Sequence, residues 1–380
     1  MKNYRMIVGL SLASIFLVFG LFNVAAAEIN VGVIGSQTTG LAQLCQRQIN
    51  SAILATEEWN EKGGINGEKI KLIIEDSGDS TTMAMTALDR VLNKDVCAIL
   101  GPIYSFQLFA MFPEVQKEKV VLMSTSGTRE LTKKNNPWYF RLYPHDGFIK
   151  RIVATFAVDE LKSERPALMC VTTEYGKSGH EVLIENIKKK GVEPVAETWH
   201  EKVDRDMTGQ LMEVKRANPD VIISQAHPPD TAQLLKQQHD LGIDVPHVAS
   251  SAASMPTVHE LVGSGMEGVY VEAAAEPNYD PDPAMKAWTE KYRERFDTNP
   301  DSFAVPYYDA TNFLFKAIKA VGTDRAKIAE WLRNNSHDGL AGSYYFDEEQ
   351  NGAWFAVMLQ YHMKNGKAIP TVVKKYDFSE

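Results

Sequence analysis

The sequence predicts an α/β protein of two doubly wound, Rossmann-like lobes, and three observations carry that prediction. Short apolar runs end in Gly, Ser or Thr and are separated by helix-length amphipathic segments, the rhythm of parallel strands with crossover helices. The rhythm begins at Ile29, breaks at an extended aromatic stretch over 138–144, and starts afresh after it. The helices predicted between 284 and 334 have no strands of their own, so they are best spent covering the first sheet, to which the chain must return. Two lobes linked by several crossings allow hinge closure about a ligand.

Residues 1–27 read as a secretory signal peptide. Lys2 and Arg5 supply a charged start, residues 6–24 the apolar stretch, and Ala25-Ala26-Ala27 the small-residue cleavage site. The apolar stretch is long enough to anchor an uncleaved chain in a bilayer, but the Ala triplet directly before Glu28 favours cleavage. No Cys follows closely, which argues against a lipid anchor. The remaining 28–380 is long enough for two full cores. With 40 basic and 49 acidic residues the net charge is −9, and it becomes more negative without Lys2 and Arg5. An acidic chain without basic clusters argues against nucleic acid and against an anionic membrane surface. Cys45, Cys97 and Cys170 are odd in number, without metal-like spacing, and are expected as buried small apolar residues.

In order, 29–35 is a strand and 35–40 the first loop, followed by a helix stopped at Gly63-Gly64. A turn at Ile65-Asn66-Gly67 leads to a strand over 69–75, closed by Asp76. A second helix carries Ala84, Ala87, Leu88, Val91 and Leu92 on one face. Strands at 96–100 and 120–123 flank a helix that Pro113 is expected to kink or delay. The second half reads as helix 148–161, strand 167–171, helix 177–190, strand 194–200, helix 207–217, strand 221–224, helix 231–241, strand 248–250, short helix 256–262 and strand 268–275. Helices at 284–296, 303–321 and 325–334 precede a β tail at 342–346, 354–364 and 370–375, where Asn365-Gly366 is a hairpin turn.

Two of these strand ends draw the functional reading. The first is followed by Gly101-Pro102-Ile103-Tyr104-Ser105, the second by Ser124-Thr125-Ser126-Gly127-Thr128. In an open α/β sheet the ligand crevice lies beyond the carboxyl ends of the strands. Ser105 stands where it caps the next helix, whose free N–H groups favour a small anion. The two turns together are expected to hold a carboxylate. Turns rich in Gly, Ser and Thr also follow strands in most α/β domains because turns need them.

Other motifs fail their own tests. Gly176-Lys177-Ser178 lacks the earlier Gly of a phosphate loop, since position 171 is Val171. The glycines of 263–268 have dinucleotide spacing but follow a helix and precede a strand. His180-Glu181 lacks a second His at Ile184. His227 is the one His at a predicted strand end facing the cleft, and is a candidate ligand contact. Arg129 is expected as a surface residue, with a second ligand acid as its alternative partner. No nucleophile–base pair stands out, so no enzyme, metal or cofactor is expected.

The run Asn60-Glu61-Lys62-Gly63-Gly64-Ile65-Asn66-Gly67, before a strand ending in Glu75-Asp76, resembles the branched-chain amino-acid-binding (Leu/Ile/Val-binding-like) family of periplasmic proteins. These are the substrate-binding components of ABC importers, with the type I two-lobe fold. Leu100-Gly101, Ser126-Gly127-Thr128, Tyr175-Gly176, Glu267-Gly268-Val269 and Pro306-Tyr307-Tyr308-Asp309-Ala310 follow in the family's order, so the resemblance spans 29–375. It implies lobe one from 28–144 plus 276–352 and lobe two from 145–275 plus 353–380, joined by three crossings. It implies that Ser105, Ser126 and Thr128 hold a ligand carboxylate, with Ile103 and Tyr104 alongside. Tyr175 then closes over the ligand from lobe two, and Phe303 forms an apolar wall.

The departures bear on the ligand. Where the family's amino-acid binders place a Glu for the ammonium group, this chain has Ser251-Ala252-Ala253. A family Tyr falls on Ala226, followed by His227, and the family's lobe-one disulfide positions fall on Gly78 and Tyr104. A buried ammonium without a carboxylate is costly. Either Asp230 or another acid substitutes, or the ligand has no ammonium group. The function implied is a monomeric periplasmic receptor that passes a small carboxylate-bearing solute to a membrane permease. A ligand sensor for a signalling partner, or a periplasmic hydrolase, are the alternatives.

Overall fold

A computed structural model describes residues 28–202 and 204–377; the expected signal peptide lies outside the described residues. Strands β1 (Glu28–Gly35), β2 (Lys69–Asp76), β3 (Ala98–Leu100), β4 (Val121–Ser124) and β5 (Tyr139–Arg141) form a parallel sheet in the order β2-β1-β3-β4-β5. The second sheet holds β6 (Pro166–Val171), β7 (Ala196–His200), β8 (Val221–Gln225), β9 (His247–Ala249) and β10 (Tyr270–Ala273), all parallel. A short hairpin, β11 (Ser336–Asp338) and β12 (Ser343–Tyr345), stands apart from both sheets. The hairpin β13 (Phe355–Lys364) and β14 (Lys367–Asp377) then adds antiparallel to β10, completing the order β14-β13-β10-β9-β8-β6-β7. The chain thus crosses to the second sheet after β5, returns after β10 and crosses again before β13. These are the doubly wound lobes and three crossings that the sequence predicts.

The helices are α1 (Ala42–Glu61), α2 (Thr81–Leu92) and α3 (Ser105–Glu118) in the first lobe. The second lobe has α4 (Asp146–Thr155), α5 (Glu174–Lys189), α6 (Thr208–Ala217), α7 (Pro228–Asp240) and α8 (Pro256–Val262). Helices α9 (Pro283–Phe296), α10 (Ala304–Val321) and α11 (Arg325–Asn334) return to the first sheet. Trp59 on α1 meets Phe315 on α10 edge to face at 5.9 Å and donates its indole N–H to Asn312 at 2.9 Å. Arg325 ties α11 to the Val96 and Glu118 carbonyls.

Three expectations are corrected. Helix α3 starts at Ser105 and runs through Pro113, rather than beginning after it. Pro113 is exposed, so the carbonyl it deprives of a donor can turn to water. Helices α5 and α7 begin three residues earlier than their apolar patterns indicate, because Glu174-Tyr175 and Pro228-Pro229 form polar or proline-bearing first turns. Strand β11 is missed because three residues are too few to show a period.

The family-like motifs turn out to be joints. Asn60 receives the Ile70 N–H and donates to the Ile70 carbonyl, both at 2.8 Å, pinning the end of α1 to β2. Gly64, at φ +76, lies against the Glu68 carbonyl, where any Cβ would collide. Asp309 accepts from the N–H groups of Leu340 (2.8 Å) and Ala341 (3.0 Å) and from the Tyr344 hydroxyl (3.0 Å), fastening α10 to the segment around β11 and β12. Asp309→Ala leaves one buried and two part-buried donors without their acceptor and is expected to cost about 2–3 kcal/mol, measured by urea unfolding.

Candidate ligand-binding site

Each sheet reverses its strand order once along the chain, and a reversal leaves a crevice at the carboxyl edge. In the first sheet the chain runs outward from β1 to β2, then continues from β3 on the other side of β1. In the second, β7 and β8 flank β6 in the same way. The loops leaving β3 and β4 face those leaving β6, β8 and β9 across one cavity of about 60 Å³. Such a volume admits a few waters or one small solute.

Eight of the nine residues singled out in the sequence line this cavity: Ile103, Tyr104, Ser105, Ser126, Tyr175, His227, Ser251 and Phe303. Ser105 is the first residue of α3 rather than its cap. Tyr104 holds the capping position, without a side-chain cap bond, so Ser105 contributes its hydroxyl and the free N–H groups of the first turn to the same wall. The neighbouring turn is held from behind. Thr125 Oγ1 accepts from Gln48 Nε2 at 2.7 Å, and Ser124 Oγ pairs with the Tyr139 hydroxyl at 2.9 Å.

Thr128 is the exception. It precedes a 3-10 turn over Arg129–Lys134, does not line the cavity, and its hydroxyl is buried without a partner. Thr128 is buried away from the cavity lining, and its carbonyl accepts from Arg141 Nη2 at 2.7 Å.

From the second lobe, Tyr175 stacks on His227 at 5.2 Å, and His227 meets Tyr104 edge on at 5.8 Å. His227 Nε2 lies 3.1 Å from Thr173 Oγ1. Burial, reinforced by the Lys202 charge, lowers the His227 pKa to about 3, so the ring is neutral at neutral pH. Phe303 stacks on Tyr143 at 5.1 Å, nearly parallel.

Asp146 and Glu272 also line the cavity, and sequence reasoning missed both. A signal was there. Glu272 is the one charge within the apolar run 269–275, and Lys150 lies beside Phe148, Ile149, Ile152 and Val153. Lys150 and Glu272 form a buried ion pair, and Ser251 N–H donates to Glu272 Oε1 at 3.2 Å. Asp230, offered as the substitute acid, is buried on α7 but does not line the cavity.

Contacts between the lobes hold the gap narrow. Asp146 N–H donates to the Gly127 carbonyl at 2.7 Å, and Arg129 N–H to Ser178 Oγ at 3.0 Å. Arg129 reaches Glu181 and Glu185 on α5 at 3.4 and 3.6 Å, so its partners are protein carboxylates. Lys202 reaches Asp79 at 3.5 Å and lies 4.8 Å from the centre of the Tyr104 ring. Half-exposed pairs of this kind contribute about 0–1 kcal/mol each.

A Ser–His pair exists elsewhere. His247 Nε2 lies 2.8 Å from Ser224 Oγ, but its Nδ1 meets the Gln238 amide oxygen instead of an acid, and none of the three lines the cavity. Gly176 has a packing reason, since a Cβ there would strike the Val171 carbonyl. The three cysteines are buried and free.

A family profile described as "Periplasmic binding protein" matches residues 28–367. The chain belongs to the periplasmic binding protein family. A leucine-, isoleucine-, valine-, threonine- and alanine-binding protein of Pseudomonas aeruginosa is 23% identical, over 87% of this chain and 89% of the relative. A leucine binding protein from Thermotoga maritima superposes with a TM-score of 0.83 at 24% identity, over 92% of this chain and 99% of that one. A solute binding protein from Rhodopseudomonas palustris, in complex with 3,4-dihydroxybenzoic acid, superposes at 0.84 and 19% identity, over 92% and 97%. At such identities the structural likeness shows the fold, that of type I periplasmic binding proteins.

In this periplasmic binding protein the neutral His227 links stability to pH. The unfolded chain binds a proton near pH 6.5 and the folded one near 3, so stability is full above 6.5 and falls as pH drops through that window. Thermal unfolding across a pH series is expected to show a shallower acid loss for His227→Gln, by on the order of 1–2 kcal/mol at pH 5.

Proposed function

We propose that the chain is the solute-binding component of an ABC importer, capturing a small carboxylate-bearing solute between its lobes and presenting it to a membrane permease. The observation that carries this reading is the meeting of two switch-point crevices at one cavity between the lobes. One wall is rich in donors: the Ser105 and Ser126 hydroxyls and the free N–H groups that open α3. Charge-assisted bonds from such donors hold a carboxylate once water is excluded. The opposite wall is aromatic, and Tyr175 with His227 forms a lid that covers the solute as the lobes close, while Ile103 and Phe303 supply apolar sides. The ligands named for the relatives agree with this, since several amino acids and a dihydroxybenzoic acid share only the carboxylate.

Closure then acts as a population shift. The open form admits solute, and the closed form, with its lid and interlobe bonds, is stabilised by whatever the solute contributes to both walls. The permease reads the closed shape. The acidic surface gives no reason to expect nucleic acid as a partner.

A thermal-shift screen of amino acids, keto acids and aromatic acids identifies the solute. With that solute, Ser126→Ala is expected to weaken binding by about 1–2 kcal/mol in calorimetry, the loss of one bond to a charged group. Unchanged affinity removes this turn from the mechanism. Small-angle scattering is expected to show the radius of gyration contracting when the solute is added.

A further inference from the structure

The second lobe's wall carries two acidic side chains, and one oxygen of each lacks a hydrogen-bond partner. Asp146 and Glu272 are each about 1% exposed and line the cavity. Asp146 Oδ1 receives a long bond from Gln225 Nε2 at 3.3 Å, the Ser178 hydroxyl also bonds to the Asp146 carboxylate, and Glu272 Oε1 receives Lys150 and Ser251 N–H. Their other oxygens, Asp146 Oδ2 and Glu272 Oε2, are fully buried and have no hydrogen-bond partner. A buried carboxylate oxygen left without a donor is costly, so a persistent pair of them calls for one from outside the chain. Lys150 does not line the cavity and is already engaged by Glu272. The Arg141 guanidinium spends its terminal nitrogens on the Gly127 and Thr128 carbonyls.

We propose that Asp146 and Glu272 form the subsite for the ammonium group of an amino-acid solute, relocated from the position that Ser251 occupies. The inference rests on the carboxylate reading above, and it extends that reading to the other end of the molecule. Spacing supports an α-amino acid. The carboxylate-binding turn and Asp146 are immediate neighbours: a Cβ on Gly127 would stand 3.3 Å from Asp146 Oδ1. Groups on adjacent carbons of one solute can therefore reach both. Ser251 keeps a part in this arrangement, since its N–H orients Glu272 where a side-chain acid would otherwise stand. Burial raises the Asp146 pKa to about 6, with Lys150 drawing it down and Glu272 pushing it up, so an arriving cation favours the ionised form.

The test is calorimetry on the purified protein with matched pairs: leucine, isoleucine, valine, threonine, alanine and phenylalanine, each against its des-amino carboxylic acid. The expected result is that an amino acid binds roughly 10- to 100-fold more tightly than its des-amino partner. Asp146→Asn is expected to remove most of that difference while the circular dichroism spectrum is unchanged. If the variant does not fold, the matched pairs on the native sequence still decide. A des-amino acid that binds as tightly as its amino acid overturns the relocated subsite and leaves the carboxylate reading standing. Binding of neither member of any pair overturns both.

Discussion

The architecture rests on a constraint of parallel sheets: a strand order that reverses must leave an uncovered notch at the carboxyl edge, because successive crossover helices go to opposite faces. This chain has two such notches, one beside β1 and one beside β6, and the three crossings turn them towards each other. That opposition places the loops that line the cavity. The Ser105 and Ser126 turns leave strands next to the first notch. Tyr175 and His227 leave strands next to the second, and the helix dipoles there need no separate device to point inward.

The electrostatics of the gap follow from burial. Burial keeps His227 neutral, so its ring, stacked on Tyr175, adds no charge to the cavity lining. The Lys150–Glu272 pair is a costly thing to place under a binding site, since burying two ions roughly offsets their attraction. Replacing it with apolar residues would suit stability as well or better. Glu272 lines the cavity, and the proposed recognition of a solute there gives the pair a reason instead.

Some of the site was legible in sequence because it sits at strand ends. An apolar run followed by Gly, Ser or Thr marks a carboxyl edge, and that rule picks out the turns of Ser105 and Ser126 and the strand end of His227, all of which line the cavity. Thr128 belongs to the same turn and does not line the cavity, because a strand-end rule marks the turn without deciding which of its hydroxyls faces the gap. Asp146 and Glu272 escaped notice for the opposite reason. They lie at the start of a helix and inside a strand, not in a loop, and a single acid in an apolar run reads as an interruption until its partner on another element is known.

The pattern of apolar runs and turns, by itself, determined the fold class, the order of most elements and the stop of the first helix at Gly63-Gly64, because these depend on local periodicity and on contacts a few residues apart. Only the tertiary structure decided which wall supplies donors and which supplies acceptors. That depends on residues more than a hundred positions apart, such as Lys150 on α4 and Glu272 on β10, meeting in the folded lobe, and no local periodicity encodes a distance of that kind.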